Sequence, residues 1–194
     1  MKSIKELYRI GTGPSSSHTM GPRKAAEMFL ERHPDAASFK VTLYGSLAAT
    51  GKGHMTDVAI IDTLQPTAPV EIVWQPKVFL PFHPNGMTFA ALDSNDKVQE
   101  NWTVYSIGGG ALAENNDNPT IESPDVYGME NITEILQWCE DTGKSYWEYV
   151  KECEEEDIWD YLTEVWATMK DAIHRGLEAE GVLPGPLNLR RKAS

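Results

Sequence analysis

Phe39-Lys-Val-Thr-Leu-Tyr44 alternates apolar and polar side chains with a period of two, which is the pattern of a β-strand with one buried face. Helical patterns flank this strand, over residues 22–32 and about 54–64. Three further strand-like runs follow between turns rich in Gly, Pro and Asn, at residues 70–74, 87–92 and 102–107. The order helix, strand, helix and then strands predicts an α+β fold, with a mostly antiparallel sheet covered by helices.

The chain changes character near residue 125, and after residue 130 its pattern is wholly helical. Gly143 follows an apolar pattern at helical spacing that is formed by Ile132, Ile135, Leu136 and Cys139. Ser145 and Glu148 predict a capping box for the next helix, and a longer apolar stripe runs from residue 158 to residue 173. We therefore expect an α+β domain at 1–127, a helical extension packing on it at 128–181, and a basic linker or tail at 182–194.

The composition limits the classes of partner. The 194 residues include 29 acidic and 17 basic side chains, a net charge of −12, which argues against nucleic acids and anionic membranes. No apolar run is long enough to span a membrane and no N-terminal export signal is present, which predicts a cytoplasmic protein. Cys139 and Cys153 occupy apolar stripe positions without a Cys-x-x-Cys motif. We expect buried structural thiols and no metal site in this chain.

The first segment that indicates chemistry is Gly13-Pro-Ser-Ser-Ser-His-Thr-Met-Gly-Pro22. Pro22 suits the first position of the helix that follows, so three hydroxyls and an imidazole lie at a helix N-terminus. Free backbone N–H groups and the helix dipole favour an anion there, such as a carboxylate or a phosphate. Helix capping is the alternative interpretation, although it requires only one small polar residue.

The second such segment is Thr50-Gly-Lys-Gly-His-Met-Thr-Asp57. Two glycines flank Lys52 just before His54, which lets the backbone approach a ligand closely beside a cation and an imidazole. The segment is not a phosphate-binding P-loop. Five residues instead of four separate Gly45 from Gly51, and Gly53 stands where Ser or Thr would hold magnesium.

Two more segments leave alternatives open. His83-Pro-Asn-Gly86 contains an Asn-Gly pair typical of a hairpin turn, so it either connects two strands or presents His83 and Asn85 from a loop rim. Ser106-Ile-Gly-Gly-Gly110 ends a strand at a place where the backbone meets a ligand or a neighbouring backbone.

These four segments together resemble the β domain of the iron–sulfur-dependent L-serine dehydratases, and the resemblance covers essentially the whole chain. It implies conversion of L-serine to pyruvate and ammonia. It also implies a second, mostly helical α domain, present in the same chain or as a separate subunit, whose cysteines hold a [4Fe-4S] cluster. This chain is similar to the half that precedes that domain. With two cysteines it cannot hold the cluster, so we expect the isolated chain to be inactive.

The resemblance also implies roles for single residues. A neutral imidazole placed against the α-proton of L-serine is a suitable base, and we assign this role to His54, with His18 as the alternative. The expected substrate-binding residues are Ser15, Ser16, Ser17, Thr19, Lys52, His83 and Asn85.

Two further interpretations come from other classes of protein. The same domain type resembles the anion-binding intervening domain of some D-3-phosphoglycerate dehydrogenases, which predicts a non-catalytic regulatory module. A purely structural interaction domain is the third possibility. Several of the six tryptophans lie on the C-terminal helices, which makes a homodimer plausible.

Overall fold

The computed structural model describes residues 1–114, 125–183 and 188–191. The chain forms two compact units. The sheet unit comprises Gly11–Ile121 and Val182–Arg190, and the helical unit comprises Met1–Ile10, Glu122–Gly181 and Arg191–Ser194. This division differs from the expected segments because the first ten residues group with the helices. Residues 184–187 and 192–194 of the expected tail lie outside the described residues.

The sheet unit has the predicted α+β architecture. Its helices are α1 (Gly21–Arg32), α2 (Gly45–Thr50) and α3 (Thr56–Leu64), and its strands are β1 (Ser38–Tyr44), β2 (Val70–Gln75), β3 (Gly86–Leu92), β4 (Val98–Gly108) and β5 (Ala111–Ala113). The strand order is β2-β1-β3-β4-β5. Strands β1 and β2 pair in parallel, whereas the other three pairs are antiparallel, which confirms the mostly antiparallel sheet.

One connection differs from its sequence pattern. Strands β2 and β3 are consecutive in the chain, but β1 lies between them in the sheet, so the hairpin interpretation of Asn85-Gly86 is wrong. The Gly108-Gly-Gly110 run forms the turn between β4 and β5, and all three glycines have positive φ, at 108°, 58° and 75°. Helix α2 and strand β5 were not expected, because six-residue and three-residue elements are too short to show a periodic pattern.

The core lies between the sheet and the helices α1 and α3. Along β1, Phe39, Val41 and Leu43 are fully buried, while Lys40 and Thr42 between them point to the other face. From α1, Phe29 packs against three aromatic rings of the sheet, those of Phe39, Phe89 and Trp102. The predicted period-two pattern of β1 therefore corresponds to one buried and one partly exposed face.

The helical unit contains α4 (Ile132–Thr142), α5 (Tyr146–Cys153) and α6 (Ile158–Glu178). The predicted C-terminal glycine and capping box are both present, since Gly143 has φ 69° and Ser145 exchanges hydrogen bonds with Glu148. Two short strands near the C-terminus, β6 (Gly181–Val182) and β7 (Arg190–Arg191), pair with each other. The helical segment predicted after residue 130 is confirmed.

Glu154 explains why the N-terminal residues group with the helices. Its carboxylate accepts hydrogen bonds from the Ser3 hydroxyl at 2.6 Å, the Ile4 N–H at 2.8 Å and the Tyr127 hydroxyl at 2.6 Å. Burial opposes ionisation of Glu154, but these three donors outweigh it and hold its pKa below the ordinary value. Folding therefore ties the N-terminal residues to the end of α5.

The two cysteines are less buried than predicted. Cys139 in α4 and Cys153 in α5 are free thiols, and both are partly exposed, because the described chain covers the apolar faces of these helices only in part. Among residues 1–114, 125–183 and 188–191, no group of three or more His, Cys, Asp or Glu side chains could hold a metal ion. No helix in the same ranges has the length and apolar character needed to cross a bilayer.

Candidate functional site

The candidate site lies at one end of the inner strands of the sheet, where β1 and β4 end and β3 begins. The register places Leu43 opposite Met87 and Gly86 opposite Tyr105, so the loops that follow β1 and precede β3 leave the sheet at the same end. Helix α2 starts directly after β1, and the Thr50–Thr56 segment follows it. The polar segments recognised in the sequence meet there.

The Ser/His segment is itself helical. Ser16–Met20 forms a π-helical turn that runs directly into α1, and the Ser15 hydroxyl caps it by accepting the His18 N–H at 3.1 Å. The helix N-terminus thus lies at Ser15, and Pro22 falls in the second position of α1 instead of at the first helical position as predicted. Ser16 is exposed at this N-terminus, where the helix dipole favours an anion.

His18 and His54 lie side by side. They are 36 positions apart in the chain, yet their ring centroids are 4.9 Å apart. Both nitrogens of His18 have hydroxyl partners, with Nδ1 2.9 Å from Ser17 Oγ and Nε2 3.1 Å from Ser46 Oγ. Burial, and secondarily the nearby charge of His54, lower the pKa of His18 below its ordinary value. The lowered pKa favours the neutral form of His18.

The second histidine has a defined tautomer. His54 Nδ1 lies 3.0 Å from the carbonyl oxygen of Thr50, and because a carbonyl only accepts, Nδ1 carries the proton. In neutral His54 this leaves a lone pair on Nε2, for which the described part of the chain supplies no hydrogen-bond partner. Of the two histidines, His54 is thus the better placed to accept a proton from a small molecule.

Two buried threonines hold the histidine backbones in a reciprocal arrangement. Thr19, next to His18, donates its hydroxyl to the His54 carbonyl at 2.6 Å, and Thr56, two residues after His54, donates to the His18 carbonyl. Thr19 is 2% exposed and Thr56 is fully buried. Thr19, expected to bind substrate, has its hydroxyl inside the protein, where it also accepts the Ser15 N–H at 3.2 Å. In the structure this hydroxyl fixes the position of His54, and the expected role of Thr19 in substrate binding stays a prediction.

Backbone strain accompanies this arrangement. Met55, between His54 and Thr56, has φ 58° and ψ 33°, a left-handed conformation that non-glycine residues seldom adopt and that concentrates at functional sites. Gly45 also has positive φ, at 47°, and a Cβ atom there would lie 2.6 Å from the Pro84 carbonyl oxygen. Only glycine satisfies both conditions.

The expected loop-rim position of Asn85 is wrong. Asn85 is 9% exposed, and its side chain donates to the Ser106 carbonyl at 3.1 Å while its own carbonyl accepts the Ser106 N–H at 3.0 Å. The neighbouring Pro84 carbonyl accepts the Ser46 N–H at 3.0 Å, so this segment supports the serine that contacts His18. His83 Nδ1 accepts the Asn85 N–H at 3.2 Å.

The contact that the structure shows for Lys52 is with an aromatic ring and not with the two histidines. Its ammonium group is 5.5 Å from the centroid of the Trp74 ring, a distance typical of a cation–π interaction. The described residues show no hydrogen bond between Lys52 and either histidine. Its expected role in substrate binding stays a prediction, as do those of Ser15, Ser16, Ser17, His83 and Asn85.

Sequence reasoning missed Ser46 and Thr56 as site residues. Thr56 stands inside the segment Thr50–Asp57 and Ser46 lies just before it, but nothing in the local pattern shows which distant side chain each one contacts. Ser106 is a related case, since its hydroxyl is fully buried and has no partner in the described chain. A Cβ atom at Gly21 would lie 2.2 Å from that hydroxyl, so β4 ends directly against the start of α1.

A known protein family matches the part of the chain that contains these segments. The family model described as serine dehydratase beta chain matches residues 3–75 and 63–117. The chain belongs to the serine dehydratase beta chain family. The matched residues contain all four segments that meet at the candidate site, including both histidines.

Several relatives of this chain are named L-serine dehydratase. The protein from Haemophilus influenzae is 33% identical over 244 residues, and L-serine dehydratase 1 from Escherichia coli is 34% identical over 242. A Streptomyces coelicolor L-serine dehydratase is 32% identical over 242 residues. The alignments cover 99–100% of this chain and 53% of each relative. The chain spans about half the length of the curated relatives it matches.

The lowered pKa of His18 predicts a pH effect on the serine dehydratase beta-chain fold. Because the unfolded state binds the His18 proton more tightly, the free energy of unfolding of the sheet unit should fall as pH drops from about 6.5 through the folded-state pKa. His18→Gln should remove the contribution of His18 to the slope of the free energy of unfolding against pH. That contribution corresponds to a difference of at most one bound proton between the unfolded and folded states. Hydrogen exchange of β1 and β3 amides between pH 5 and 8 measures it, with His174→Gln as the matched control. An unchanged slope in His18→Gln would contradict the assignment.

Proposed function

We propose that this chain is the substrate-binding half of an iron–sulfur-dependent L-serine dehydratase, which converts L-serine to pyruvate and ammonia together with a cluster-bearing α domain. The observation that carries the proposal is the pairing of the His18 and His54 rings, with centroids 4.9 Å apart at the N-terminal end of a helix, in which His54 Nδ1 donates to the Thr50 carbonyl and leaves Nε2 for a substrate. The family and the names of the relatives supply the reaction class. The predicted cytoplasmic location remains part of this proposal.

In the proposed reaction the carboxylate of L-serine binds at the helix N-terminus near Ser16. The exposed Ser16 and the positive end of the helix dipole suit a carboxylate. Ser15 and Ser17 are already engaged, one as the cap and one with His18 Nδ1. Their proposed part is therefore to shape the turn and orient the imidazole as well as to line the site.

His54 then acts as the base. Its Nε2 takes the proton from Cα, the electron pair of that bond forms the Cα=Cβ double bond, and the hydroxyl group leaves Cβ as hydroxide. The resulting 2-aminoacrylate tautomerises to the imine, which water hydrolyses to pyruvate and ammonia. The Thr50 carbonyl stabilises the imidazolium because it accepts a hydrogen bond from the Nδ1–H group in both charge states of His54. His18 stays neutral beside it, which avoids two adjacent positive charges.

The iron–sulfur cluster does not fit this chain. Such a cluster takes three or four cysteine thiolates, and the chain has only Cys139 and Cys153, which belong to helices of the helical unit and are partly buried. We therefore assign the cluster to the α domain that acts together with this chain. The steps above use only residues of this chain.

Reconstitution tests the proposal. We expect the purified chain alone to form no pyruvate from L-serine under anaerobic conditions. Addition of the C-terminal half of Escherichia coli L-serine dehydratase 1, with iron and sulfide, should restore activity. Pyruvate formation by the lone chain, or none after reconstitution with a partner half whose absorption spectrum shows a bound cluster, would overturn it.

A non-catalytic anion-binding module is the second candidate, and the exposed helix N-terminus at Ser16 favours it. Such a module would bind inorganic phosphate or any small carboxylate at that end without chemistry. Calorimetry with L-serine, D-serine and phosphate separates the two, since a dehydratase half should prefer the L-amino acid. Equal binding of both serine enantiomers, or stronger binding of phosphate, would favour the regulatory module.

A further inference from the structure

Helix α6 carries apolar residues at alternating intervals of three and four. They are Trp159, Leu162, Trp166, Met169 and Ile173, and we call them the tryptophan seam. This spacing puts all five on one side of the helix, as in the a and d positions of helices that pack along their length. The helix has 21 residues and is about 31 Å long at the usual rise per residue.

The tryptophan seam lies open in the described chain. Trp166, Met169 and Ile173 are 55%, 48% and 52% exposed, and within α6 only Ile158 is buried. Single exposed apolar residues are ordinary, but a continuous exposed stripe marks an interaction site. Because helices are stabilised mainly by packing of their apolar face, the second half of α6 lacks, among the described residues, the apolar contact that would stabilise it.

A groove in the helical unit continues the tryptophan seam. It has a volume of about 340 Å³, and besides seam residues it is lined by Val165 of α6, by Trp147 and Val150 of α5, and by Ile4 and Tyr8. The rings of Trp147 and Trp159 meet at an angle of 68° with centroids 6.3 Å apart. Large, rigid aromatic side chains around an apolar pocket are typical of an anchor site for a partner side chain.

The charge of this region indicates the kind of partner. Residues 131–178 contain thirteen acidic and four basic side chains, and the exposed acidic residues Glu155, Glu156 and Asp160 adjoin Trp159 at one end of the seam. A second copy of the chain would bring the same negative charge against itself. A basic partner would be attracted instead.

We propose that the tryptophan seam binds an amphipathic helix of a partner protein, one that has aliphatic residues at its own a and d positions and Lys or Arg on its flanks. The aliphatic side chains enter the groove between α5 and α6, and the basic flanks face the acidic residues near Trp159. This inference is independent of the proposed reaction, because it uses no residue of the histidine site.

A designed peptide tests the proposal with the full chain. The probe is a synthetic helix of 21 residues with Leu at a and d and Lys at the flanks, and its control has Glu in place of every Lys. Neither contains Trp, so the fluorescence of the chain reports binding. We expect the Lys peptide to bind at least tenfold more tightly than the Glu peptide at low salt, with the difference shrinking as salt screens the charges.

Variants of the chain identify the surface. Met169→Glu should weaken binding of the Lys peptide at least tenfold, whereas Ala167→Glu, the same change on the polar side of α6, should leave it unchanged. If circular dichroism shows that Met169→Glu loses helix, Ile173→Ala takes its place. Equal binding of the two peptides, or no effect of either seam variant, would overturn the proposal. Sedimentation that shows a dimer dissociated by Met169→Glu would also overturn it, in favour of a second copy.

Discussion

Replacing His54 by Gln should lower kcat for pyruvate formation by about 10²- to 10⁴-fold in the reconstituted dehydratase, the range typical of losing a general base. Glutamine keeps a side chain of similar length and can still donate to the Thr50 carbonyl, but it cannot accept the α-proton of L-serine. The backbone of residue 54 is held by the Thr19 hydroxyl, so the fold should survive. The measurement is the rate of pyruvate formation at saturating L-serine.

The matched control is His174→Gln, which changes an exposed histidine of α6 outside the site and should leave kcat unchanged. His18→Gln is the informative comparison. If His18→Gln abolishes activity while His54→Gln retains more than a tenth of it, the roles of the two histidines are reversed. Comparable losses in both variants with normal L-serine binding would mean that the pair acts as one unit.

Replacing Phe29 by Ala should destabilise the sheet unit by about 3–5 kcal/mol, the usual cost of deleting a buried aromatic side chain. Phe29 is fully buried, and its ring contacts Phe39, Phe89 and Trp102, the last in a parallel stack with centroids 6.1 Å apart. The void would lie between α1 and the sheet, where three large rings cannot easily close it. A domain with typical stability would lose a large part of it.

Hydrogen exchange of the β1 and β3 amides measures this effect within the sheet unit and separates it from changes in the helices. Glu27→Ala, two residues earlier on the exposed side of the same helix, is the control. It removes only a surface ion pair with Arg23 and should cost less than about 0.5 kcal/mol. If Phe29→Ala lowers the free energy of unfolding of the sheet unit by less than about 1 kcal/mol, the aromatic cluster does not contribute as expected to the stability of the core.

The candidate site was only partly predictable. The segments around His18 and His54 were recognisable because hydroxyls, glycines and imidazoles concentrate there without a packing reason. The contacts of Ser46 and Thr56 with His18 were not, since a hydrogen bond across 28 or 38 positions leaves no local pattern. Asn85 shows the converse, because its turn-like Asn-Gly context predicted exposure, whereas pairing with Ser106 buries it.

The sequence by itself determined the elements: β1 from its period-two alternation, α1 and α3 from their apolar periodicity, and the ends of α4 and α5 from Gly143 and the Ser145 capping box. These signals are local, since they depend on the backbone geometry of a few consecutive residues. The tertiary structure decided the strand order, the 4.9 Å pairing of His18 with His54, and the exposure of α6. These depend on contacts between residues far apart in the chain, which packing as a whole selects and no local pattern encodes.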